Sequence, residues 1–192
     1  MGPLNNASAF LIQSLFDLYL FILLLRFIFQ YLRVDYYNPL TQFVVKMTSP
    51  VIVPLRRMIP GFWGIDFATL FVIVALTCLK ITLIMFVSVR KFPAPAGLFL
   101  WSLGDITALT INLFFYAILM SVILSWIAPL TRTPMTAILY RLTEPLMRPA
   151  RRFIPIVAGF DISPIPVMIG LQLLKILIAD PLTQAGFHFG IR

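Results

Sequence analysis

Cysteine and histidine are almost absent from this 192-residue chain: it has one of each, Cys78 and His188. A lone cysteine closes no internal disulfide, makes no CxxC redox pair and builds no cysteine zinc site. A lone histidine argues against a histidine metal centre. It also argues against haem, because Met120 and Met168 are scattered and His188 lacks an axial partner. Charge is the next scarcity: Asp, Glu, Lys and Arg make up 11% of the chain, against about a quarter in a soluble domain. The strings GxxxxGK[ST], GxSxG and HExxH do not occur. Together these absences exclude a water-soluble enzyme and imply no cofactor.

Apolar residues fill the space, at 60% of the chain with a mean hydropathy of +0.98. So small a globule has no interior large enough to hide them. About 20 apolar residues cross a bilayer as a helix, and residues 9–31, 67–89, 106–128 and, more weakly, 162–182 meet that length. Lipid offers the backbone no hydrogen bonds, so these runs are expected as helices. The stretch 92–105, with Pro93, Pro95, Gly97 and Gly104, reads as a connector that partly hugs the interface. Trp101, Trp126 and Tyr31 fall near the expected interfaces, as belt residues do.

The chain carries a net charge of +8, which points to an anionic membrane face rather than to nucleic acid. Arg33, Lys46, Arg56 and Arg57 lie between the first two spans. Arg132, Arg141, Arg148, Arg151 and Arg152 lie between the last two. Only Arg90, Lys91 and Arg192 fall on the opposite side. The positive-inside rule places the two basic segments in the cytoplasm and both termini outside. The start lacks the basic n-region of a cleavable signal and has Asn6 where myristoylation wants Ser or Thr, so it is expected to stay on the mature protein.

The chain repeats itself. Pro50, Pro54, Arg56, Arg57, Ile59, Pro60, Gly64 and Asp66 recur without a gap as Pro145, Pro149, Arg151, Arg152, Ile154, Pro155, Gly159 and Asp161. The same offset carries Leu79-Lys80-Ile81 onto Leu174-Lys175-Ile176. Two spans per unit restore the direction of the chain, so the halves are parallel repeats about an axis along the membrane normal. Residues 1–91 form the first repeat, 92–105 the connector and 106–192 the second.

The doubled motif P-x-x-x-P-x-R-R-x-I-P-x-x-x-G-x-D resembles the YggT family, also called YlmG, over nearly the whole chain. One departure is that Asp161 continues as Ile162-Ser163-Pro164, whereas Asp66 continues as Phe67-Ala68-Thr69. The resemblance implies a bacterial inner-membrane protein linked to osmotic-stress tolerance and ion homeostasis. Relatives in cyanobacteria and plastids are linked to cytochrome complex assembly, nucleoid distribution or division. It implies no enzymatic reaction.

Leu40, Phe43, Val44 and Met47, and again Met135, Ile138, Leu139 and Leu142, are spaced as an amphipathic helix. Such a helix lies in the membrane interface or packs on the protein's own spans. The prolines that follow leave room for only a short helical turn. That places Arg56-Arg57 and Arg151-Arg152, with Arg148 nearby, on a stiff loop that binds anionic headgroups or docks a partner. Asp66 and Asp161 are placed as N-caps of the following spans, with a salt bridge to the arginines compatible.

Asp17 and Lys80 both sit roughly 12–14 Å deep by helical rise, so they can pair between adjacent spans. Their repeat partners are Asn112 and Lys175. One lysine is thus left in excess unless Asp180 compensates. These polar groups either fasten helices or line a transport path. Arg26, nearer the cytoplasmic end, can snorkel there.

The expected fold is all-α, with four transmembrane helices in two parallel hairpin repeats and amphipathic helices in the cytoplasmic connectors. Four spans enclose no channel, so a pore needs a homo-oligomer. The leading functional expectation is a non-catalytic scaffold or biogenesis and stress-response factor. Its Pro-Arg segments would meet anionic lipid or membrane-protein partners. The alternative is an ion channel, transport component or modulator that uses Lys80, Lys175 and Asp17.

Overall fold

The computed structural model describes residues 2–62, 64–127, 133–154 and 161–191. Pro155 and Gly159 of the second motif, Arg132 and Arg192 lie outside the described residues. The chain is helical, with no strand among the described residues. The order is α1 (Pro3–Tyr31), α2 (Pro39–Arg56), α3 (Phe67–Val89), α4 (Pro95–Ile127), α5 (Pro134–Phe153), α6 (Pro164–Leu174) and α7 (Asp180–Ile191).

Four helices are long and apolar enough to cross a membrane: α1, α3, α4 and the continuous run Pro164–Ile191. Only 11–33% of the most apolar stretch of each is buried inside the protein. The remaining surface is what lipid covers in a membrane protein. α1 pairs with α3, and α4 pairs with the α6–α7 run, giving two hairpins joined where α3 packs on α4. The main core collects Leu20, Leu23, Leu24 and Ile28 of α1, Ile52 of α2, Val72 and Ile73 of α3, and Leu113 and Ala117 of α4, with Leu142 of α5.

The third span begins at Pro95, well before residue 106. The prolines and glycines of 92–105 suggested a connector, but they serve two other purposes. Pro95 stands at the first helical position, where its missing N–H costs nothing. Gly97 lies so close to α7 that a Cβ there would come within 2.2 Å of the Gly190 nitrogen, and one on Gly186 within 2.3 Å of the Trp101 nitrogen. These glycines let two backbones touch, as small residues do between membrane helices. Trp101 is part of the same seam, edge-on to Phe187 at 5.3 Å. Trp126 and Tyr31 are exposed.

The prolines of the motif also lie inside helices. α2 continues through Pro50 and Pro54, and α5 through Pro145 and Pro149. All four are exposed, so the carbonyls they strand face outward rather than into the core. The arginine pairs therefore stand on the last helical turn and its cap, not on a loop. Both connector helices start alike, with Pro at the first position and a polar cap: Asn38 accepts from the Leu40 N–H, and Thr133 from the Thr136 N–H.

The α2 stripe divides in two. Val44 is buried against Phe29 and Ile138, while Leu40, Phe43 and Met47 stay exposed. α2 thus packs on the spans and offers an apolar edge outward. In α5, Ile138 and Leu142 are buried and Met135 is exposed.

The segment Lys175–Ala179 is a π-helix. Pro181 cannot donate to the preceding turn, and the Asp180 N–H reaches back to the Lys175 carbonyl instead, the widened ladder of a π-bulge.

Candidate functional site

Polar groups gather at two levels of the bundle. At the deeper level, Lys80 of α3 is buried and donates to Asp17 of α1 at 2.6 Å and to Asp105 of α4. The two carboxylates are each about a third exposed (33% and 31%), whereas the lysine side chain is 4% exposed. One ammonium thus pins three helices. The second repeat is weaker: Lys175 donates to Asn112 at 3.3 Å. Among the described residues neither Lys175 nor Asp180 makes an ion pair, so Asp180 does not compensate Lys175. Asp105 is the residue that sequence reasoning missed. It lies as far from the α3–α4 turn as Lys80 does, and a third span begun at Pro95 brings it level with that lysine.

At the level of α2 and α5, the motif arginines clamp the motif aspartates. Arg56 Nη2 donates to Asp66 Oδ2 at 2.5 Å and to Gln30 Oε1 at 2.5 Å. Asp66 caps α3 by accepting from the Thr69 N–H and takes the Thr69 hydroxyl as well. Burial pushes the Asp66 carboxyl up, but the hydrogen bonds from Arg56 and Thr69 and the arginine charge outweigh it. The carboxyl is held below the usual carboxylate range. The side chain of Asp66 is 1% exposed and that of Arg56 40%, so the acid is enclosed and the arginine meets the surroundings.

The second clamp is looser. Arg151 Nε donates to Asp161 Oδ2 at 2.9 Å, and its Nη1 to Glu144 Oε2 at 3.3 Å. Asp161 is not the N-cap of α6; Ser163 holds that position. Pro164 fills the first helical position and leaves no N–H there to cap. Asp161 instead accepts from the Ser163 N–H at 3.0 Å and from its hydroxyl at 2.5 Å. Burial raises this carboxyl, while Ser163 and Arg151 lower it further, with the net direction downward.

Arg57, Arg148 and Arg152 are exposed and make no ion pair among the described residues. Arg141 donates to the Arg33 carbonyl at 3.1 Å, and Asn38 to the Pro134 carbonyl at 2.7 Å. These bonds tie the turn before α2 and its cap to α5, so the two connector helices share one end of the bundle. Arg26 does not snorkel. It is buried, and its Nη1 donates to the Val45 carbonyl and to the hydroxyls of Thr48 and Ser49 on α2. The described residues hold no group of three or more His, Cys, Asp or Glu placed to share a metal ion.

Comparison with known proteins agrees with this two-fold plan. The CCB3/YggT family model matches twice, at residues 5–87 and 100–182, one match to each hairpin. An uncharacterized protein of Pseudomonas aeruginosa is 41% identical over 185 residues, covering 95% of this chain and 93% of the relative. An uncharacterized protein of Vibrio alginolyticus is 40% identical over 184 residues, covering 95% and 99%. The uncharacterized protein YggT of Escherichia coli K12 is 37% identical over 183 residues, covering 94% of each chain. No solved structure matches. Two matching repeats and full-length relatives show that the chain belongs to the CCB3/YggT family.

Proposed function

We propose that the protein is a non-catalytic scaffold of the bacterial inner membrane, with a role in envelope or osmotic stress. In this reading the face formed by α2 and α5 holds anionic lipid headgroups on the cytoplasmic side. One observation carries it: exposed cations and exposed apolar side chains alternate on that face. Lys46, Arg57, Arg148 and Arg152 stand beside Leu40, Phe43, Met47, Met58 and Phe153, all exposed. An interfacial helix needs this mixture, with apolar groups in the acyl boundary and cations at the phosphates. Each such cation is worth about 1 kcal/mol near an anionic leaflet. The positive-inside rule puts this face in the cytoplasm. The deeper charges fit a structural part, because Lys80 is already met by two carboxylates.

The test is lipid selectivity in mixed phosphatidylglycerol and phosphatidylcholine nanodiscs, read from spin-labelled lipid. The wild type is expected to enrich phosphatidylglycerol at its surface. The combined variant Arg57→Glu, Arg148→Glu, Arg152→Glu is expected to lose that enrichment while keeping its helix content. Equal enrichment in both would overturn the proposal.

One observation favours the alternative of ion transport: among the described residues Lys175 donates to the amide oxygen of Asn112 and makes no ion pair. That reading requires ion flux that depends on the lysines.

A further inference from the structure

The first repeat buries a cation where, among the described residues, positive charge exceeds negative. Arg26 is 6% exposed, lies about one and a half turns before the end of α1, and makes no ion pair among the described residues. Its bonds to α2 all leave from Nη1, and its Nε is buried without an acceptor. Thr41 of α2 is 5% exposed, and its hydroxyl oxygen is likewise buried without a partner. Both residues line one cavity of about 240 Å3, together with Gln30, Tyr36 and Arg56. A water occupies about 30 Å3 in the liquid, so the space exceeds what a single bridging water fills. Arg56 brings a second positive charge, but Asp66 answers it. Among the described residues the cavity therefore holds one uncompensated positive charge.

A buried guanidinium without an anion is costly. Its planar fork, with a hydroxyl and an amide beside it, suits an oxyanion. We infer that this cavity between α1 and α2 binds one phosphate group, with Arg26 as the charged anchor and Thr41 as the hydroxyl donor. The phosphate belongs to either a lipid headgroup or a free ion.

The second repeat serves as an internal control. The repeat positions of Arg26 and Gln30 are Ser121 and Ser125. These serines line a smaller hollow of about 110 Å3 with Thr143, Arg151 and Asp161. There the arginine is paired with its aspartate and no second cation remains, so one phosphate per chain is expected rather than two.

The site goes beyond the basic face proposed above. It shares the neighbourhood of Arg56 but needs none of Arg57, Arg148 or Arg152. The test uses the purified full chain, delipidated in a non-ionic detergent. Inorganic phosphate is titrated in one arm, and phosphatidylglycerol against phosphatidylcholine in the other. Binding is followed by native mass spectrometry and by thermal unfolding. One saturable phosphate-bearing ligand per wild-type chain is expected. Saturation by inorganic phosphate alone identifies the free ion. A response to phosphatidylglycerol only identifies the headgroup. Arg26→Gln is expected to weaken binding at least tenfold. Thr41→Val, which keeps the charge and the fold, should weaken it severalfold, and Arg26→Lys should restore only part of the affinity. The triple Glu variant at Arg57, Arg148 and Arg152 should keep this single site even where it loses lipid enrichment. Absence of saturable binding by the wild type would overturn the inference. So would unchanged binding in Thr41→Val and Arg26→Gln.

Discussion

Lys80 and Asp17 meet at 2.6 Å across α3 and α1, and Asp105 of α4 closes on the same ammonium from the other side. The arrangement turns a group that the bilayer disfavours into a fastener for three helices. Lys80→Met strands two carboxylates at once. At that depth the exposed part of both acids meets lipid rather than water, so the expected loss is that of a buried pair, about 3–5 kcal/mol. The triple variant Lys80→Met, Asp17→Asn, Asp105→Asn removes the stranded charges and should recover most of that loss. Thermal unfolding in detergent reads both. A triple variant no more stable than the single would contradict the structural role.

The two clamps differ in burial, so their variants should differ in cost. Arg56→Ala leaves Asp66, which is almost fully enclosed, without its cation, and a loss of about 2–3 kcal/mol is expected. Arg151→Ala breaks a pair exposed on both sides (41% and 32%), and less than about 1 kcal/mol is expected. Denaturation midpoints of the two variants check the order.

The lowered Asp66 carboxyl sets a pH dependence. Its folded value lies below the unfolded one of about 3.9, so the unfolded chain takes up the proton first as pH falls. The stabilisation is full well above the unfolded value. It is lost as pH drops through that value and then through the folded one. Asp66→Asn should flatten this acid limb of the unfolding curve, and Asp161→Asn should flatten it less. An acid limb unchanged in Asp66→Asn would remove Asp66 as its source.

The α4–α7 seam should be intolerant of a single methyl group. Gly97→Ala places a Cβ on the Gly190 backbone, where no side chain can yield. A loss of about 2 kcal/mol is expected, as for overpacking elsewhere. Gly170→Ala on α6 meets nothing within 4 Å and should be neutral or slightly stabilising by helix propensity. Thermal unfolding of the two variants side by side makes the comparison.

Much of this plan is legible in the sequence, because lipid imposes length and repetition imposes symmetry. The span 67–89 coincides with α3, and equal depth alone brings Asp17 and Lys80 together. The motif spacing sets each arginine within reach of its aspartate. What sequence reasoning misread turns on proline and glycine. Pro50, Pro54, Pro145 and Pro149 read as breakers, yet on an exposed helix face the stranded carbonyls do not have to be answered from within the core. Gly97 reads as a loop residue, whereas it permits contact with a helix that is distant in sequence. That misreading placed Asp105 at the edge of a span and hid its bond to Lys80. Arg26 gives no local signal either, because its partners are a carbonyl and two hydroxyls on α2.

The central claim is that the charges inside the spans hold the bundle together and that the protein's work is done at the basic face. Ion flux tests it most directly, in liposomes containing correctly folded and oriented protein. Wild type is compared with Lys80→Met/Lys175→Met and with empty liposomes. The account predicts no flux above the empty liposomes for either protein. Flux in the wild type that disappears with the two lysines would contradict it and make the intramembrane charges the active site.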